Sequence, residues 1–81
     1  MDRATFEQAV QSDRLERWLH IGAPVGTTTN QLCVWRAGEW FTIATDERAG
    51  RIESTFRRFE DESTALDSAL AELRFLKELL G

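Results

Sequence analysis

The sequence predicts an α+β domain spanning residues 1–81, with an N-terminal helix, a three-stranded antiparallel meander and a long C-terminal helix packed on the sheet. Three observations carry this reading. Leu32 to Ile43 is rich in β-branched and aromatic residues and is interrupted by Ala37-Gly38, the kind of pair a hairpin turn uses because glycine tolerates positive φ. After the turn-rich stretch Asp46 to Arg51, Ile52, Ser54 and Phe56 alternate with Glu53, Thr55 and Arg57 at a strand's period of two. Finally, Leu66, Ala69, Leu70, Leu73, Leu76 and Leu80 recur at helical spacing behind the capping residue Asp61, with Glu62 in the first turn where the helix dipole favours negative charge.

Asp2 to about His20 reads as the first helix, with Asp2 as N-cap. Phe6, Ala9 and Val10 form one stripe, while Leu15, Trp18 and Leu19 come out roughly 100–200° further round the axis. Either the helix breaks near Ser12-Asp13, where Ser12 could cap a second piece, or it is contacted on two sides; one helix with a bend is the favoured reading. Ile21 to Asn30 holds the single proline, two glycines and a threonine run, and reads as a loop.

A two-residue turn at Ala37-Gly38 sets Arg36 opposite Glu39, Trp35 opposite Trp40, Val34 opposite Phe41, Cys33 opposite Thr42 and Leu32 opposite Ile43. One face then carries Leu32, Val34, Phe41 and Ile43 as core. The other carries Cys33, Trp35, Trp40 and Thr42, and is either roofed by another element or offered to a partner. Pairing Glu47 with Gly50 around Arg48-Ala49 lets the third strand run without a bulge. Phe56 then falls opposite Phe41, and Arg57 opposite Trp40, a cation–π contact worth roughly 0.5–1 kcal/mol. Phe75 and Leu79 lie outside the leucine stripe and form a second apolar patch for the first helix, a second copy or a partner to cover.

Fourteen acidic against ten basic residues give a net charge of −4, and the pI of about 4.9 argues against nucleic acid or an anionic membrane as the main partner. A basic protein partner is easier to accommodate. One cysteine excludes an internal disulfide and a cysteine-based zinc site. The first twenty residues are unlike a signal peptide and no apolar run reaches the ~20 residues of a membrane span, so a cytoplasmic protein is expected.

Catalytic groups are sparse. His20 reads as a surface residue at a helix end, and Cys33 as a small packed residue rather than a nucleophile. The acidic clusters Asp46-Glu47 and Glu60-Asp61-Glu62 lack calcium-loop spacing, and Gly22 and Gly26 lack the context of a phosphate loop. No enzyme activity, cofactor or metal is expected. Trp and Arg are the residue types most enriched at binding hot spots, which makes Trp35, Trp40 and Arg57, with the charged turn Asp46, Glu47 and Arg48, the candidate partner-binding residues.

The run Trp40-Phe41-Thr42-Ile43, then Asp46-Glu47-Arg48 with Gly50, then Phe59, Glu62 and Ala65 leading into a leucine-rich helix, resembles small immunity proteins of bacterial polymorphic toxin systems. In several such families a strand beginning with Trp, an Asp-Glu-Arg-Gly turn and a Phe-x-x-Glu-x-x-Ala helix entry follow one another closely. The likeness covers Leu32 to Leu80, and Ala49 makes the turn one residue longer than the pattern. The resemblance implies a non-catalytic antitoxin that occludes the active site of a cognate toxin domain, such as a nuclease or an NAD-cleaving enzyme. A homodimeric scaffold or accessory interaction domain is the alternative.

Overall fold

The computed structural model describes residues 1–81 as α1 (Arg3–Ser12), a 3-10 turn (Glu16–Trp18), β1 (Leu19–Ile21), β2 (Leu32–Ala37), β3 (Glu39–Thr45), β4 (Arg51–Phe59) and α2 (Glu62–Leu80). The class is α+β as expected, but the sheet has four strands in the order β1-β2-β3-β4 and is mixed. β2, β3 and β4 form the antiparallel meander. β1 adds a parallel edge, pairing Leu19 with Leu32, His20 with Cys33 and Ile21 with Val34.

The first helix is shorter than its sequence suggests. Asp2 caps it by accepting from the Thr5 amide at 2.8 Å. It ends with Arg14 in the left-handed region (φ +55°), where the Arg14 amide donates to the Gln11 carbonyl and the Leu15 amide to the Val10 carbonyl. This is a Schellman motif with arginine where glycine is usual. The left-handed residue costs roughly 1–2 kcal/mol. Burial of the Leu15 side chain, only 1% exposed, contributes roughly 1.5–3 kcal/mol and outweighs it. The apolar residues after Ser12 therefore sit on a reversed chain rather than on a second helical face. His20 is correspondingly a strand residue, not a helix terminus.

α2 follows its periodicity closely. Asp61 caps it through the Thr64 amide at 2.8 Å, and Ala65, Leu66, Ala69, Leu70, Leu73 and Leu76 are buried. Leu80, expected in the same stripe, is 47% exposed because the helix's last turn adds little to the core. The core cluster joins these residues to Phe6, Val10, Leu15 and Trp18 from the N-terminal third and to Leu32, Val34 and Ala44 from the sheet.

The hairpin register differs from expectation by one residue. The chain reverses about Gly38 (φ +78°), which sets Ala37 opposite Glu39, Arg36 opposite Trp40, Trp35 opposite Phe41 and Val34 opposite Thr42. A slip of one residue turns every side chain of one strand to the other face. Leu32, Val34, Trp40, Thr42 and Ala44 therefore face the helices, while Cys33, Trp35, Phe41 and Ile43 face away. Cys33, Ile43 and Thr45 are nevertheless buried on that outer face.

β4 does carry a bulge. Arg51 and Ile52 pair with Thr45 and Ala44, whereas Arg57, Arg58 and Phe59 pair with Thr42, Phe41 and Trp40. Glu53 to Phe56 are thus set against the single residue Ile43. The hydroxyl of Thr55 closes the gap, accepting from the Ala44 amide at 2.8 Å and donating to the Ile52 carbonyl at 2.6 Å. The Arg57 guanidinium donates to the carbonyls of Ser54 and Phe56 at 3.2 and 3.3 Å.

Candidate partner-binding surface

On the outer face, the one-residue register shift replaces the expected tryptophan pair with an aromatic row crossing three strands. Trp35 stacks on Phe41 with ring centroids 5.6 Å apart, and Phe41 on Phe56 at 5.8 Å. Phe56 neighbours Phe41 as expected, but through its ring from within the bulge rather than as its strand partner. The row is unevenly covered. Trp35 and Phe41 are half-buried and Phe56 is 44% exposed. At its rim the Arg58 guanidinium meets the Glu39 carboxylate at 3.3 Å. Such stacked pairs contribute about 0.5–1.5 kcal/mol beyond area burial, so the row is a stiff apolar platform with a charged edge.

The six residues expected to bind a partner separate accordingly. Trp35 belongs to the outer row. Trp40 is on the opposite face, partly buried against the core. There it lines a groove of about 850 Å³ between α1 and the β1-β2 edge, with Phe6, Val10, Leu19, Val34 and Leu66. Arg57 does not lie over Trp40, because its strand partner is Thr42 and its guanidinium is held by its own strand. The cation–π pair in the fold is instead Arg17 over Trp18, at 4.8 Å.

Asp46 builds the turn that it was expected to present. One carboxylate oxygen accepts from the amides of Arg48 and Gly50, each at 2.8 Å, and these bonds hold its carboxyl below the usual carboxylate range. Asp46, not Glu47, pairs with Gly50, its amide donating to the Gly50 carbonyl. A Cβ at Gly50 would stand 2.8 Å from the Asp46 carboxylate, so a side chain there would have to displace that carboxylate. Ala49 takes the left-handed conformation (φ +62°). Glu47 and Arg48 remain exposed at the tip and outside the ion pairs of the fold.

The sheet also brings together two groups that are far apart in sequence. His20 is the strand partner of Cys33. The thiol is nevertheless fully buried, and burial pushes its pKa up to about 11. A nucleophilic cysteine needs the reverse, a thiolate stabilised near neutral pH. The residues that sequence reasoning missed are Phe41, Phe56, Glu39 and Arg58. An odd-numbered loop about Gly38 was the available signal, since it alone moves Phe41 to the face of Trp35.

No helix is long and apolar enough to cross a membrane. Compared with protein-family models, curated proteins and solved structures, the chain matches none of them.

Proposed function

We propose that this protein is an immunity protein that binds a cognate toxin enzyme and occludes its active site in the cytoplasm of the producing cell. A nuclease or an NAD-cleaving toxin fits best, because an anionic substrate calls for a basic cleft and the chain is acidic. The observation that carries the reading is the Trp35-Phe41-Phe56 row, a rigid aromatic platform open on the side away from the helices. Aromatic anchors of this kind dominate binding energy when they enter a desolvated pocket. The motif resemblance from Leu32 to Leu80 supplies the functional class.

Within this reading, Trp35 and Phe56 hold the complex together while the surplus carboxylates, Glu47 among them, accelerate encounter. The test is co-expression with the product of the adjacent upstream gene, followed by association and dissociation kinetics at several salt concentrations. Trp35→Ala is expected to weaken a one-to-one complex by about 30-fold, mainly through faster dissociation, the equivalent of a ~2 kcal/mol hot spot. Glu47→Lys is expected to slow association at low salt only. Absence of a complex, or a Trp35→Ala, Phe56→Ala double variant that binds as wild type, overturns the proposal.

The second reading, a homodimeric scaffold, draws on Phe75, Leu79 and Leu80, which are 60%, 65% and 47% exposed. α1 does not cover them.

A further inference from the structure

Phe75 and Leu79 of α2 stand outside the buried leucine stripe and are 60% and 65% exposed. The N-terminal segment approaches α2 at Ser63 and Asp67, where the terminal amine meets each at 2.8 Å, and Asp13 meets Arg74 at 2.8 Å. Phe75 and Leu79 lie roughly 100–140° round the axis from that side, and more than about 100° from the centre of the buried stripe. Up the helix the same line continues through Ala71, exposed, and Ser68, half-buried. It is a ridge of two large side chains below a shallow bed of small ones, and a second helix fits such a surface.

The flanks of the ridge specify the partner. Glu72 runs along one side and Glu78 along the other, and neither takes part in an ion pair. The nearest basic residues of the helix are already engaged, Arg74 with Asp13 and Lys77 with the Asp13 carbonyl at 2.6 Å. Both flanks are therefore acidic. An antiparallel two-fold packing of α2 on a second copy, centred on the Phe75-Leu79 ridge, brings Glu78 beside the same residue of that copy, and like charges so placed are destabilising. Its exposed side chains amount to the order of 300 Å² of apolar surface, the size of a functional patch on a monomer and a width that one helix can cover.

We infer that the Phe75-Leu79 ridge docks a basic amphipathic helix of a second protein, one that presents an apolar row between lysines or arginines. The docked helix buries the two large side chains and places its cations beside Glu72 and Glu78. The same charges that admit a basic helix disfavour a second copy, so the inference and the homodimeric reading predict opposite outcomes.

A synthetic amphipathic helical peptide, with leucines on one face flanked by lysines, and its counterpart flanked by glutamates, test this by fluorescence anisotropy, alongside sedimentation of the protein at high micromolar concentration. The wild type is expected to sediment as a monomer and to bind only the lysine peptide. Phe75→Ala with Leu79→Ala, which leaves the charges and helix propensity intact, is expected to weaken that binding by about ten-fold. Glu72→Lys with Glu78→Lys is expected to weaken it roughly five- to ten-fold at low salt and to allow the glutamate peptide to bind. The inference is overturned if the lysine peptide fails to bind, or binds the double-alanine variant as well as wild type. It is equally overturned by a wild-type dimer that Phe75→Ala dissociates. The outer aromatic row is untouched by these variants, so failure here and failure of the Trp35 test are separable.

Discussion

The β4 bulge makes a demand on a single hydroxyl, and replacing Thr55 with valine measures it. Valine keeps the branched shape and the strand preference of threonine and removes only the group that serves the Ala44 amide and the Ile52 carbonyl. Ile52 is 37% exposed, and its carbonyl, at an exposed position, regains a water. Ala44 is 3% exposed, and its amide regains nothing. An unsatisfied buried donor costs about 1–3 kcal/mol. Taking ~2 kcal/mol, and ~4–8 °C per kcal/mol for a domain of this size, Thr55→Val is expected to lower Tm by roughly 8–16 °C. In urea, the midpoint should fall with an unchanged m-value. Thr55→Ser, which retains the hydroxyl, should lose less than half as much. A Thr55→Val protein that melts with the wild type would refute the reasoning, and would mean that the bulge is held by something other than this side chain.

Two further expectations concern pH. Cys33 is raised from an ordinary 9.0 to about 11 in the folded chain, so the stability it contributes is complete below pH 9 and is lost as pH rises from about 9 toward 11; Cys33→Ala should flatten that part of a Tm-versus-pH curve. The same burial should make the thiol inert to alkylating reagents at pH 8 until denaturant is added, and rapid labelling of the native protein would contradict it. At the acid end, Asp2 is held low by hydrogen bonding to Thr5, Asp46 by the amides of Arg48 and Gly50, and Asp61 by that of Thr64. Their contribution is present above the unfolded carboxylate pKa and is lost as pH falls through the depressed values. Thermal stability should therefore decline below about pH 4, and the decline should be shallower in Asp46→Asn.

How far the sequence could be followed depended on how local the deciding interaction was. α2 was legible because six buried residues repeat at one period behind a capping aspartate, and each of those signals lies within the helix itself. The hairpin was legible as a hairpin, but Ala37-Gly38 is compatible with both a two-residue and a longer reversal. The difference of one residue decided which aromatic joined Trp35. β1 was hidden for another reason. Three residues carry no periodicity, and their pairing is with Cys33 and its neighbours, more than ten positions away across a loop. The end of α1 was masked by Arg14, which takes the conformation normally given to glycine because Leu15 gains a core position by it. In the bulge, Ile52, Ser54 and Phe56 do alternate with charged or polar residues. Alternation reports the side-chain pattern of one strand and is silent on how many partners face it.

The self-contained bonding of β4 also bears on how this protein meets others. An edge strand ordinarily offers a row of free backbone groups on which another chain can add a strand. Here the Arg57 side chain already occupies the carbonyls of Ser54 and Phe56, the strand is kinked by its bulge, and the opposite edge is only Leu19–Ile21 long. Neither border presents a long uninterrupted ladder, so strand addition is disfavoured at both edges of the sheet.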